Sequence, residues 1–293
     1  MPDGSSDPVP SLSIDVQGIP VAYEVRGTGI PILMVHGWSA DRRYMVADLE
    51  PVFADDRRWQ RVYLDLPGHG ATPAPRWLGS QDQMLCIVSG FIDAVLPDTP
   101  LAIVGSSYGG HTALGVVRLM PERLLGACLL VPDMPSQDNT RDTSEAVVLS
   151  ADESIFEGLP ADQQWMRDAL VVQERGMVDE LLAHDSPAYR IADYAFLDRL
   201  NANYLPSGVA GRPGAAFTGP SLILTGRQDS TVGYRGAWAL LEEFPRATFA
   251  VLDLAGHQLG RVERPIPFRV LVGDWLDRMG RERPTDGTPG SDS

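Results

Sequence analysis

Apolar and polar positions follow two regimes along this chain. Residues 11–17 and 21–26 are short runs of mixed polarity either side of Gly18-Ile19-Pro20, the pattern of two strands joined at a turn. Apolar runs at 31–35, 61–66, 101–105, 124–131 and 221–225 are nearly continuous, as strands buried on both faces of a parallel sheet must be. A run at 247–252 carries Thr248 and is expected to be less enclosed. Helical patterns fall around 43–53, 80–96, 109–120, 233–244 and 267–279. This alternation predicts an α/β sheet with helices on both sides.

The rhythm breaks between residues 134 and 219, where no core strand is evident and polar helical pieces appear at 161–172 and 177–183. So long an interval between sheet strands must have its own fold. It is expected to form a helical cap over the carboxyl edge of the sheet, with Phe156, Trp165, Tyr189, Tyr194 and Phe196 packing it down or lining a pocket. The predicted division is a flexible N-terminus (1–10), an α/β core (11–133 and 220–279), the cap (134–219) and a flexible tail (280–293).

Charge and composition narrow the chemistry. The formal charge of −15 disfavours phosphate backbones and anionic lipid, so neither nucleic acid nor membrane is an expected partner. All 24 cationic residues are arginine. Without lysine there is no Schiff base to pyridoxal phosphate, no GK[ST] phosphate loop and no S-x-x-K pair. Cys86 and Cys128 sit in apolar stretches and read as buried free thiols, consistent with a reducing cytoplasm. MPDGSSDPVP lacks the basic and apolar regions of a secretory signal, and no run approaches the roughly 18 apolar residues of a membrane helix. A soluble, cytoplasmic protein is expected.

The segment LAIVGSSYGGHTALGVV (101–117) carries the most chemistry. An apolar strand runs into Gly105-Ser106-Ser107-Tyr108-Gly109 and a helix follows at once. This is G-x-S-x-G in strand–turn–helix context, which strains the central residue and sets it at a helix N-terminus. Ser107 is the expected nucleophile; centring on Ser106 destroys the glycine spacing. A serine hydroxyl needs a base. Of the five histidines, His257 follows the last strand, at the edge where Ser107 emerges. His36 and His69 are expected to shape loops, while His111 and His184 lie on a helix and in the cap. No H-x-x-x-H or H-x-H spacing supports a metal site. Asp229, a few residues past the 221–225 strand, is the expected partner of the histidine, with Asp133 the topological alternative. The backbone N–H groups of Trp38 and Tyr108 are the expected oxyanion donors, and Trp38, Tyr108, Trp165 and Phe156 the expected pocket.

MVHGW (34–38), DLPGHG (65–70), VGSSYGG (104–110), LTGRQD (224–229) and LAGH (254–257) together resemble the α/β-hydrolase superfamily with a helical cap. The resemblance implies a mostly parallel eight-stranded sheet, a Ser-Asp-His triad, no cofactor and an acyl-enzyme mechanism on a small-molecule substrate. Hydrolysis of a small or medium apolar carboxylic ester is the leading expectation. The same triad also serves carbon–carbon bonds, lactones and perhydrolysis, and a rival of another class is a non-catalytic ligand-binding protein on this scaffold.

Overall fold

A computed structural model describes residues 10–54, 56–143 and 145–281. The expected flexible termini lie almost wholly outside these residues, except that the last helix runs through Arg281 and so past the expected boundary. The chain opens with a hairpin, β1 (Leu12–Val16) and β2 (Ile19–Arg26), whose two-residue turn is Gln17-Gly18 at φ 55° and 81°. Both angles are positive, as the tight turn that matches strand twist requires. The turn begins one residue earlier than the sequence pattern predicts. Ile19 is buried and pairs with Val16, so its side chain belongs to the sheet.

The remaining strands are β3 (Ile30–Val35), β4 (Trp59–Leu64), β5 (Leu101–Ser106), β6 (Leu124–Leu130), β7 (Ser221–Gly226) and β8 (Ala247–Leu252). They form one eight-stranded sheet in the order β1-β2-β4-β3-β5-β6-β7-β8, parallel from β4 to β8 and antiparallel at the hairpin end. Alternate side chains enter opposite layers. Leu33, Val35, Ile103 and Ile223 join one core with α2 (Gln81–Val95) and α3 (Tyr108–Leu119); Ile32, Met34, Val104 and Leu222 join the other with α1 (Arg42–Leu49). The edge strand β8 is only partly buried, as Thr248 suggested.

Side chains set the helix starts. Asp41 accepts from the Arg43 N–H ahead of α1, and Ser80 from the Gln83 N–H ahead of α2. The expected helix at 43–53 closes as α1 at Leu49, and a short 3-10 turn containing Pro51 follows.

The stretch between β6 and β7 contains no strand among the described residues. It carries α4 (Met166–Ala169), α5 (Arg175–His184), α6 (Ser186–Tyr189) and α7 (Tyr194–Asn201). The expected helix at 161–172 is broken into a 3-10 turn and the four-residue α4. Val172 instead forms an isolated parallel bridge to Ser150, with the Leu149 N–H on Val171 O and the Gln173 N–H on Ser150 O; β-branched side chains favour that conformation. Phe156, Met166, Leu170, Val178 and Leu181 make a separate apolar cluster that also takes in Val262.

After β7 come α8 (Arg235–Trp238) and, past β8, a π-helical turn Leu259–Glu263 leading into α9 (Pro265–Arg281), which packs Phe268, Val272 and Trp275 into the α1 layer. Arg261 of that turn reaches Asp48 of α1 at 2.5 Å, Glu180 of α5 at 3.2 Å, and Asp185 between α5 and α6. Burial lifts the Asp185 carboxyl to about 7 despite the neighbouring guanidinium. Of the two cysteines, Cys128 is buried as expected but Cys86 is exposed. Cys86 lies on α2, whose apolar stretch turns its Met84, Leu85, Ile87 and Val88 inward and leaves position 86 on the outer face. Among the described residues, no helix is long and apolar enough to cross a membrane.

Candidate active site

β5 ends in a turn that the chain makes only by giving up side chains. Ser107 has φ 55° and ψ −120°, outside the regions an L-residue ordinarily occupies. It is held there from several sides. Its N–H donates to Leu130 O at 2.9 Å, and its carbonyl accepts from the His111 and Asp133 N–H groups at 3.0 and 3.1 Å. A Cβ on Gly105 would stand 2.1 Å from Gly109 O, and one on Gly109 would stand 2.1 Å from Val35 O. The two glycines thus let β5, α3 and the end of β3 meet. Gly109→Ala is accordingly expected to destabilise the fold by about 3 kcal/mol, because the obstructing atoms are backbone and cannot rotate away. Denaturant unfolding beside the parent measures it, and a loss within experimental error would contradict this close packing.

The loops after β7 and β8 bring Asp229 and His257 to this turn. His257 Nε2 lies 2.9 Å from Ser107 Oγ, and His257 Nδ1 lies 2.8 Å from Asp229 Oδ2. The other carboxylate oxygen, Asp229 Oδ1, accepts from the Thr231 and Val232 N–H groups at 2.8 and 3.0 Å. These bonds and the charge of His257 hold the Asp229 carboxyl below its ordinary range, although burial acts to raise it. For His257, burial disfavours the imidazolium, and the adjacent Asp229 carboxylate outweighs that, so the imidazole pKa is raised. The buried Glu263 braces the same loop: Oε2 accepts from the Gly256 N–H at 2.6 Å and Oε1 from the Val171 N–H at 3.0 Å.

The other candidates are placed elsewhere. Asp133 is held by the Arg141 guanidinium at 2.9 and 2.7 Å and by the Tyr204 hydroxyl at 2.5 Å, and makes no bond to His257. Ser106 Oγ lies 3.3 Å from the Tyr44 hydroxyl. His36 accepts the Leu66 N–H on Nε2 and lies 2.8 Å from Gly37 O through Nδ1; burial lowers its pKa to about 4. His69 contacts Pro67 O at 2.9 Å and His36 edge-on, with burial lowering it to about 3. His111 is buried against Tyr204, and His184 is half-buried beside Glu180.

The loop after β3 lies against the serine, for a Cβ on Gly37 would stand 3.3 Å from Ser107 Cβ. Neither the Trp38 nor the Tyr108 N–H donates to a protein acceptor among the described residues. Two cavities meet at Ser107, and Trp38 and Thr231 line both. One, of about 290 Å³, is bounded by Tyr44, Trp165, Tyr189, His257 and Gln258. The other, of about 300 Å³, is bounded by Tyr108, Asp133, Arg141, Asp198, Asn201 and Tyr204. Trp38, Tyr108 and Trp165 line these cavities. Phe156 does not: it is fully buried in the cluster with Met166 and Leu181, because that stretch has to fill its own small core. Sequence reasoning passed over Tyr44, Thr231, Gln258, Asp198, Asn201 and Tyr204. Thr231 and Gln258 adjoin Asp229 and His257 in the chain and were open to inference; the other four carry no local signal.

A parallel sheet whose loops gather a serine, a histidine and a carboxylate at one edge defines a class, the α/β-hydrolases. The sequence matches the profile of the Alpha/beta hydrolase family over residues 32–269, and the chain belongs to that family. It is 30% identical over 271 residues to the dihydrolipoyllysine-residue acetyltransferase component of the acetoin cleaving system of Cupriavidus necator, covering 88% of this chain and 67% of that one. It is 31% identical over 120 residues to a 2-hydroxy-6-oxo-6-(2'-aminophenyl)hexa-2,4-dienoic acid hydrolase of Metapseudomonas resinovorans, covering 40% of each. Among solved structures, an alpha/beta superfamily hydrolase from Oenococcus oeni PSU-1 superposes with a TM-score of 0.81 at 22% identity, covering 89% of this chain and 96% of that one.

Proposed function

We propose that the protein hydrolyses a neutral carboxylic ester through an acyl-enzyme on Ser107. The observation that carries this reading is the unbroken hydrogen-bonded line Asp229–His257–Ser107, at 2.8 and 2.9 Å. Asp229 keeps the proton of His257 on Nδ1, which leaves Nε2 free to take the proton of Ser107 as Oγ attacks the carbonyl. The Trp38 and Tyr108 N–H groups hold the oxyanion, each such donor being worth roughly 3–4 kcal/mol in the transition state. His257 then returns the proton to the leaving alcohol, and water repeats the sequence on the acyl-enzyme. The stretch between β6 and β7 serves as a cap that supplies Trp165 and Tyr189 to the pocket.

A neutral ester suits the site because the one arginine among the described residues that lines either cavity, Arg141, is matched by Asp133 and has no free charge to offer a carboxylate. The Metapseudomonas relative favours a second reading, cleavage of a carbon–carbon bond by the same residues. Relative rates on short esters and on vinylogous diketones separate the two. The test of the shared mechanism is a fluorophosphonate probe. It is expected to label the protein once, at Ser107, with labelling lost on heat denaturation. An unlabelled native protein rejects the serine nucleophile and supports the ligand-binding alternative.

A further inference from the structure

The two cavities differ in a way that fixes the direction in which an ester lies. Attack by Ser107 Oγ forms one carbon–oxygen bond, and collapse of the intermediate breaks another, releasing the alcohol. The proton taken from Ser107 ends on that leaving oxygen, and His257 Nε2 delivers it. The leaving oxygen must therefore come within hydrogen-bond reach of Nε2. Whatever it carries extends into the cavity that His257 lines. Of the two cavities at Ser107, that is the one bounded by Tyr44, Trp165 and Tyr189. The acyl substituent, on the other side of the carbonyl carbon, falls into the cavity of Tyr108, Asp198 and Asn201.

The walls give each half its chemistry. In the first cavity the Trp165 and Tyr189 rings pack on each other at 5.4 Å and 56° to make one aromatic wall, and the small side chains of Ala40 and Ala169 line the same space. In the second, Asp133 and Arg141 neutralise each other. Asp198 and Asn201, three residues apart on α7, are exposed and form a polar rim on this cavity. They favour hydroxyl groups and oppose a carboxylate.

Resting on the serine-hydrolase reading above, we propose that the substrate is an ester of an aromatic or bulky apolar alcohol with a polar acyl group. The alcohol lies against the wall that Trp165 and Tyr189 form together, and the acyl group lies against Asp198 and Asn201. Trp165 is then a determinant of specificity for the leaving group alone.

Benzyl acetate and methyl phenylacetate test this, since they are isomers that carry the same ring on opposite sides of the ester and release alcohols of similar acidity. The wild-type protein is expected to cleave benzyl acetate with a kcat/KM about tenfold or more above that for methyl phenylacetate. Trp165→Ala is expected to remove about tenfold from the benzyl acetate value and less than about twofold from the other. Equal rates for the two isomers, a preference for methyl phenylacetate, or an equal loss on both in the variant overturns the assignment. Should the variant not fold, the wild-type comparison decides alone. If neither isomer nor any p-nitrophenyl ester is cleaved and Ser107 resists the fluorophosphonate, the hydrolase reading fails, and the orientation falls with it.

Discussion

Ser107→Ala is expected to lower kcat/KM on p-nitrophenyl acetate by about 10⁵- to 10⁶-fold, because the remaining groups have no nucleophile to act through. The melting temperature is expected to stay within about 2 °C of the parent, as one hydroxyl is removed and no main-chain bond changes. The backbone at 107 keeps its positive φ, since the bonds that impose it run from its own N–H and carbonyl to Leu130, His111 and Asp133. Alanine therefore inherits the geometry and loses only the chemistry. A variant with intact circular dichroism and even a hundredth of parental turnover would place the nucleophile elsewhere. Ser106 is the neighbour to examine in that case, although its Oγ is turned toward Tyr44.

Asp229→Asn is expected to lower kcat/KM by about 10⁴-fold, with the shape of the site preserved. Its amide oxygen can still accept the Thr231 and Val232 N–H groups, which turns the NH₂ toward His257 Nδ1. Nδ1 must then accept, so the ring proton sits on Nε2 and the base cannot take the proton of Ser107. The pH profile supplies a second readout. His257 must be neutral to work, so activity falls as pH drops through its pKa. In the parent that midpoint is expected above the ordinary imidazole value of 6.5, since the Asp229 carboxylate raises it. The residual activity of the asparagine variant is expected to show a lower acid midpoint, because burial, which disfavours the cation, remains after the carboxylate charge has gone. An unchanged midpoint would separate His257 from Asp229.

The parts of the molecule legible in the sequence are those governed by local chemistry. Strands β3, β5, β6 and β7 announce themselves because burial on both faces leaves no polar position to interrupt them. The turn at Ser107 is legible because only glycine fits where Gly105 and Gly109 lie against backbone. His257 and Asp229 follow from strand ends sharing one edge. What failed to show depends on contacts between distant segments. Phe156 looked like a pocket residue because an aromatic in an amphipathic stretch does not reveal which small core it fills. Cys86 looked buried because an apolar helix still has an outer face. The α4 helix was overdrawn because the Val171-Val172 step pairs with residues 149–150, some twenty positions back. Asp198, Asn201 and Tyr204 come to Ser107 only by the path of the chain between β6 and β7.

One of the ties that hold that path to the sheet edge is a short π-helical turn. Glu263 grips the amide that precedes the imidazole with one oxygen and the Val171 amide with the other, and Arg261, two residues earlier, clasps the start of α6 through Asp185. The Val171 segment and the loop that carries His257 are therefore fastened to one carboxylate. A shift of the Val171 segment is thus felt at the amide next to the imidazole, so the two places keep their alignment together.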